Sequence, residues 1–278
     1  MAKSPAPSAA ATGEARPPVA LGSILFTLVD PRRGHERAYN RWYERDHFYA
    51  GCMVGPWLFA GRRFVATRAL KDLRFPSESP VARPVDAGSY LAIYWIHAEH
   101  HDEHLEWANR QVHWLYQNGR GFAERDHVHT VLFTYQDSSY RDADPVPIEL
   151  ALDHPYAGLV TVFLERGEGG SPQQLQDGLA QAVAEALRGS PLACAARFAP
   201  IPRDGDPNQR APMDLGSPTG GPERELQLWF AQSDPRECWD RIARYADRVK
   251  ASGLARVLLA APFLPTVPGT EQYLDELW

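Results

Sequence analysis

Hydrophobic periodicity in this chain changes from two residues to about 3.6 and back in the same order twice, and that order leaves few folds open. From Leu21 the pattern predicts a strand (Leu21 to Val29), a helix (about Gly34 to Ala50), two strands (Trp57 to Thr67 and Ser89 to His97), a helix (about Asp102 to Asn118) and a strand (Val128 to Tyr135). From Gly158 it predicts a strand to Glu165, a helix (Pro172 to Leu187), two strands (Ala193 to Ala199 and Glu225 to Gln232), a helix (Pro235 to Ala251) and a strand (Ala255 to Ala261). Ser171-Pro172 gives the third helix an N-cap with proline in its first position. The two passes also correspond residue by residue. Ala60-Gly-Arg-Arg63-Phe64 matches Cys194-Ala-Ala-Arg197-Phe198, Tyr94-Trp95-Ile96 matches Leu228-Trp229-Phe230, and Trp107 and Trp239 occupy similar places. A tandem duplication accounts for both levels of repetition.

Each β-α-β-β-α-β pass reads as a ferredoxin-like unit. Such a sheet carries helices on one face and must bury the other, and two in one chain can do so against each other. The expected fold is therefore α+β: two tandem ferredoxin-like repeats forming a single-chain barrel, a pseudo-dimer. The expected divisions are a disordered lead over residues 1–19, a site-bearing first repeat over 20–137, a linker over 138–156, a second repeat over 157–262 and a tail over 263–278. Such a chain is expected to act as a monomer that closes its own barrel, or as a homodimer of these.

With 278 residues, 44% of them hydrophobic, the chain can bury a large core. Its formal charge of -6 argues against nucleic acid as a partner, because phosphate neutralisation needs surplus Lys and Arg. No segment approaches the roughly 18 apolar residues that span a bilayer, and the Ala/Pro/Ser-rich start lacks the apolar centre of a signal peptide. Cys52, Cys194 and Cys238 have no metal-ligand spacing and leave an odd thiol, which fits reduced cysteines in the cytoplasm.

Tyr39, Tyr43 and His47 recur at i, i+4, i+8 and form one helical stripe. Alternation in the first-half strands predicts that the uniformly apolar sets Ile24-Phe26-Leu28 and Leu91-Ile93-Trp95 meet the helices. The opposite sets would then line the barrel interior: Trp57, Phe59 and Arg63, then Tyr90 and Tyr94, then His127, His129 and Phe133. Apolar walls with a few convergent polar groups make a small-molecule site, completed from the second half by Arg197 and Trp229. His97-Ala-Glu-His-His-Asp-Glu-His104 offers i, i+4 imidazoles but lacks the H-E-x-x-H order, and reads as a solvated helix start. No metal is expected. G-x-S-x-G, Walker and G-x-G-x-x-G patterns are absent.

Asn40-Arg41-Trp42-Tyr43-Glu44-Arg45-Asp46-His47, followed by Pro56 and Arg62-Arg63-Phe64, resembles the first helix and second strand of dimeric α+β barrel proteins, particularly the EthD-like branch. Phe48-Tyr49 stands where relatives have a proline after the histidine. The superfamily includes cofactor-free cyclases and monooxygenases, lactone isomerases, dehydratases and haem-dependent enzymes, and fold does not choose among them. The expected activity is cofactor-independent chemistry on a hydrophobic, aromatic or polyketide-like molecule: a cyclisation, dehydration or isomerisation. His47 or His129 would be the acid/base, Tyr43 or Tyr94 a hydrogen-bond donor, and Arg63 the group stabilising an enolate. The alternatives are an oxidation, cofactor-free or haem-dependent, and a non-catalytic binding protein.

Overall fold

A computed structural model of the chain describes residues 19–168, 171–202 and 211–278. The expected disordered lead falls, but for Val19, outside the described residues, as does part of the 200–222 loop. The first half contains β1 (Leu21–Pro31), α1 (Glu36–Trp42) running on into a π-helical segment (Tyr43–Met53), β2 (Leu58–Val65), the one-turn α2 (Arg68–Lys71), β3 (Tyr90–His97), α3 (His101–Gln117) and β4 (Arg125–Tyr140). The second contains β5 (Gly158–Arg166), α4 (Pro172–Leu187), β6 (Leu192–Pro200), β7 (Arg224–Ala231), α5 (Trp239–Ala251) and β8 (Ala255–Pro265). Ser171 and Gln174 form a reciprocal capping box at the start of α4, with Pro172 in its first turn.

The strands close an antiparallel barrel in the order β1-β3-β2-β8-β5-β7-β6-β4. Its seams are unequal: β4 pairs with β6 from Phe133↔Pro200 to Tyr140↔Cys194, whereas β2 meets β8 only at Phe64↔Pro265 and Val65↔Leu264.

The strand faces are exchanged relative to the alternation argument. Ile24, Phe26, Leu28, Leu91, Ile93 and Trp95 fill the barrel together with second-half side chains such as Phe163 and Phe198. Phe26 meets Phe163 edge-on at 5.4 Å, and Trp95 donates its indole N–H to Ile148 O at 3.1 Å. Tyr90, Ala92 and Tyr94 instead face α1. The physical reason is that barrel closure seals two facing sheets away from water more completely than a few helices cover one, so the most apolar set goes inside.

Helix packing differs between the halves. α4 buries Leu175, Leu179, Ala182, Val183 and Leu187, whereas the 17-residue α3 buries only His104 and Leu115. The second-half sheet is thus covered by tight apolar packing, while α3 stands over the first-half sheet with space beneath it. In the stretch between α2 and β3, Val81 and Ala82 join the barrel core. The tail lies along α1, with Asn40 donating to Thr270 O and Gly269 N donating to Glu44. No helix among the described residues is long and apolar enough to cross a membrane.

Candidate functional site

The space beneath α3 is a cavity of about 820 Å³ between the helix-facing side of β1, β3 and β4, the π-helical segment and α3. Leu25, Thr27, Tyr94 and Thr130 form its sheet side, and Leu105, Ala108 and Val112 its α3 side.

The π-helical segment determines which side chains reach it. Tyr43, His47 and Cys52 all line the cavity. Tyr43 and Cys52 are nine residues apart, which at about 3.6 residues per turn would place them on opposite sides of an α-helix. The wider i→i+5 turns bring them onto one face. Two glycines make the close approach possible. A Cβ on Gly51 would lie 2.7 Å from His47 Nδ1, and one on Gly61 would lie 2.8 Å from the Tyr94 ring.

The His47 ring stacks on Trp42, with centroids 4.5 Å apart and planes 17° from parallel, and meets Tyr43 edge-on. Trp42 is fixed in turn by its indole N–H to Arg120 O at 2.9 Å. Burial, reinforced by the positive charge of Arg125, by His127 and by Arg63, lowers the His47 pKa to about 3, so the imidazole is neutral at ordinary pH. The Tyr43 and Tyr94 hydroxyls lie 2.9 Å apart, and burial pushes both phenols upward, so both keep their protons. Burial also lowers His101 and His104 and raises the Cys52 thiol to about 11.

Of the residues singled out from sequence, Tyr43, His47, Tyr94 and His127 meet in this cavity. Arg63 lies behind it, donating to Asn40 Oδ1 at 2.9 Å and to Glu44 at 3.3 Å, with its guanidinium over the Tyr43 and Tyr90 rings. It supports the tyrosines and does not line the cavity. His129 and Phe133 point into the barrel, where His129 Nδ1 is 2.7 Å from Ser217 Oγ, and Phe59 packs against the same core. Trp57 is exposed and stacks on His100 at 3.4 Å. Arg197 and Trp229 belong to the second half, Arg197 held by Glu225 and Trp229 packed on Tyr245.

Sequence reasoning missed Arg125 and His113 and read His101 and His104 as part of a solvated helix start; all four line the cavity, and His104 is buried. The α3 face was detectable, because His101, Leu105, Ala108 and Val112 follow helical same-face spacing. His104 and His113 donate Nδ1–H to Pro56 O and Asn109 O at 2.9 and 2.8 Å. Among the described residues no group of three or more His, Cys, Asp or Glu side chains is arranged to hold a metal ion.

The solved structures similar to this chain are dimeric α+β barrel proteins, and the eight-stranded antiparallel barrel with helices outside is the fold this chain shares with them. They include a candidate chlorite dismutase (9% identity, TM-score 0.54, covering 93% of this chain and 100% of that one) and an anthrone oxidase-like protein (10%, 0.52, 91% and 95%). A candidate monooxygenase from Fusobacterium nucleatum subsp. nucleatum is similar at 8% identity and TM-score 0.50, covering 90% and 93%. At such identities the likeness is one of fold. No protein-family model matches the chain, and no curated protein matches it.

Proposed function

We propose that this chain is a small-molecule enzyme that takes a proton from an enolisable or phenolic, largely aromatic substrate held under α3, and that the resulting carbanion reacts with dioxygen. One observation carries the reading. His47 lines the cavity and makes no hydrogen bond to any described residue, so its imidazole is left for a ligand. The Tyr43–Tyr94 pair supplies a neutral O–H donor for the oxygen that gains charge as the proton leaves. Apolar walls exclude water and suit a fused-ring body.

Anthrone is a suitable probe, since its acidic CH2 lies between two rings and one similar fold carries an anthrone oxidase-like name. With one O2 it yields anthraquinone and water: both CH2 hydrogens leave with one oxygen atom, and the other becomes the new carbonyl. The protein is expected to accelerate this conversion, and His47→Ala to lower kcat/KM by about 10²–10⁴-fold with the fold intact. No acceleration over spontaneous oxidation across enolisable fused-ring ketones, or an H47A variant as active as wild type, overturns the reading. The same proton transfer without oxygen would give an isomerisation, dehydration or cyclisation, so product formation under nitrogen separates these outcomes.

Haem is a second reading, favoured by one observation. A backbone carbonyl on Nδ1–H leaves Nε2 of His104 or His113 as the basic nitrogen, an arrangement typical of ligating imidazoles. Bound there, haem would supply the redox centre, and a Soret band after reconstitution tests it.

The repetition of strand order and the equivalent positions of Arg63 and Arg197 support a tandem pair of ferredoxin-like units; we read the first as EthD-like and as bearing the site.

A further inference from the structure

Five arginines are buried among the described residues: Arg63, Arg74, Arg125, Arg197 and Arg224. Four of them have oxygen partners suited to a guanidinium. Arg63 meets Glu44, and Arg197 meets Glu225 and Asp137. Arg74 donates to the carbonyls of Val85, Ala87 and Gly88, and Arg224 to those of Pro218 and Thr219.

Arg125 differs from all four. Its described contacts are one hydrogen bond to the Tyr116 hydroxyl at 2.9 Å and the face of Trp42 at 4.5 Å. The carboxylates nearest in sequence, Glu124 and Asp126, are turned to Arg32 at 3.3 and 3.1 Å. Asp102 and Asp214 also line the cavity, yet neither lies within 4.0 Å of the Arg125 guanidinium. Arg125 lines both the main cavity and a smaller one of about 250 Å³ beside it. A guanidinium held out of bulk water without an anion or carbonyl is costly, and such groups are ordinarily paired.

We infer that the ligand of this cavity carries an acidic group, a carboxylate or an acidic phenol, that docks on Arg125 while its apolar body lies under α3. The inference rests on the reading of this cavity as the substrate site and adds a charge to the substrate class. It also bears on His47, since Arg125 is one of the positive charges that suppress the basicity of that imidazole. An anion on Arg125 would relieve part of that suppression, so an acidic substrate would make its own base stronger.

The test is equilibrium binding, followed by ligand fluorescence, of anthracene-9-carboxylate and its neutral analogue anthracene-9-carboxamide to the full chain and to R125K and R125Q. The wild type is expected to bind the carboxylate about tenfold or more tightly than the carboxamide, as a charge-assisted bidentate contact implies. R125Q is expected to lose that preference while keeping its carboxamide affinity. R125K, which keeps the charge but not the planar fork, is expected to retain a smaller preference. Thermal melting accompanies each variant, and if R125Q does not fold, R125K decides. Equal wild-type affinity for the two ligands, or an R125K indistinguishable from wild type, overturns the inference while leaving the proposed function standing. Failure of both ligands to bind the wild type overturns the cavity reading itself, and the inference with it.

Discussion

The Tyr43 hydroxyl on the π-helical segment meets the Tyr94 hydroxyl on β3 at 2.9 Å, and this contact ties the helix bearing His47 to the sheet side of the cavity. Both residues are almost fully buried. Replacing Tyr94 with Phe leaves the Tyr43 O–H without its partner and is expected to lower unfolding stability by about 1–3 kcal/mol, measured by urea denaturation. It should also slow turnover, because the donor pair loses one member.

Gly51 is the position where a small change should reach His47 most selectively. An added methyl would lie 2.7 Å from His47 Nδ1 and must displace the ring from its stack on Trp42. Gly51→Ala is expected to lower kcat/KM on the order of 10²-fold, the scale of a reactive group misplaced by about 1 Å. Steady-state kinetics checks the rate, and a change in Trp42 fluorescence reports the lost stack.

Stability should depend on pH through His47 in a definite direction. Its pKa is about 3 in the folded protein and near 6.5 in an unfolded chain, so between these values the unfolded state binds the extra proton. Stability is therefore fully present above about pH 6.5 and falls as the pH drops toward 3. His47→Phe removes the titrating group and keeps a ring against Trp42. In urea titrations from pH 7 to pH 4, H47F is expected to lose less stability than wild type. Parallel losses would contradict a neutral, buried imidazole.

The two helix layers should respond differently to truncation. Leu179 on α4 is fully buried in apolar packing, whereas Val112 on α3 borders the cavity. Leu179→Ala is expected to cost about 2–5 kcal/mol. Val112→Ala should cost far less, since one side of the side chain has no packed neighbours to lose. Chemical denaturation of both variants measures the contrast.

Element order and strand positions were legible because each β-strand and helix has its own period, and strands such as β5 and helices such as α4 match the pattern closely. Which sheet face meets the helices was not, because alternation divides a strand into two sets without saying which goes inside. His127 and His129 show a second limit. They are separated by one residue, so plain alternation puts them on one face. A bulge opposite Leu28 and Val29 instead pairs His129 with the barrel-facing Leu28 and His127 with the helix-facing Val29. Nothing local in Asp126-His-Val-His-Thr130 announces that extra residue. The π-helical turns after Trp42 are equally silent in sequence, yet they bring Cys52 beside Tyr43 and His47. Arg125 was hidden for another reason: it sits between Glu124 and Asp126, and only the fold turns those acids to Arg32.

We place the reacting molecule outside the barrel, under α3, against His47. A crystal structure of the full chain with anthracene-9-carboxylate tests this placement most directly. The fused rings are expected between Thr27 and Val112, with the ligand in contact with the His47 imidazole. Ligand density within the barrel among Phe26, Phe163 and His129, or on the outer surface away from His47, would contradict it.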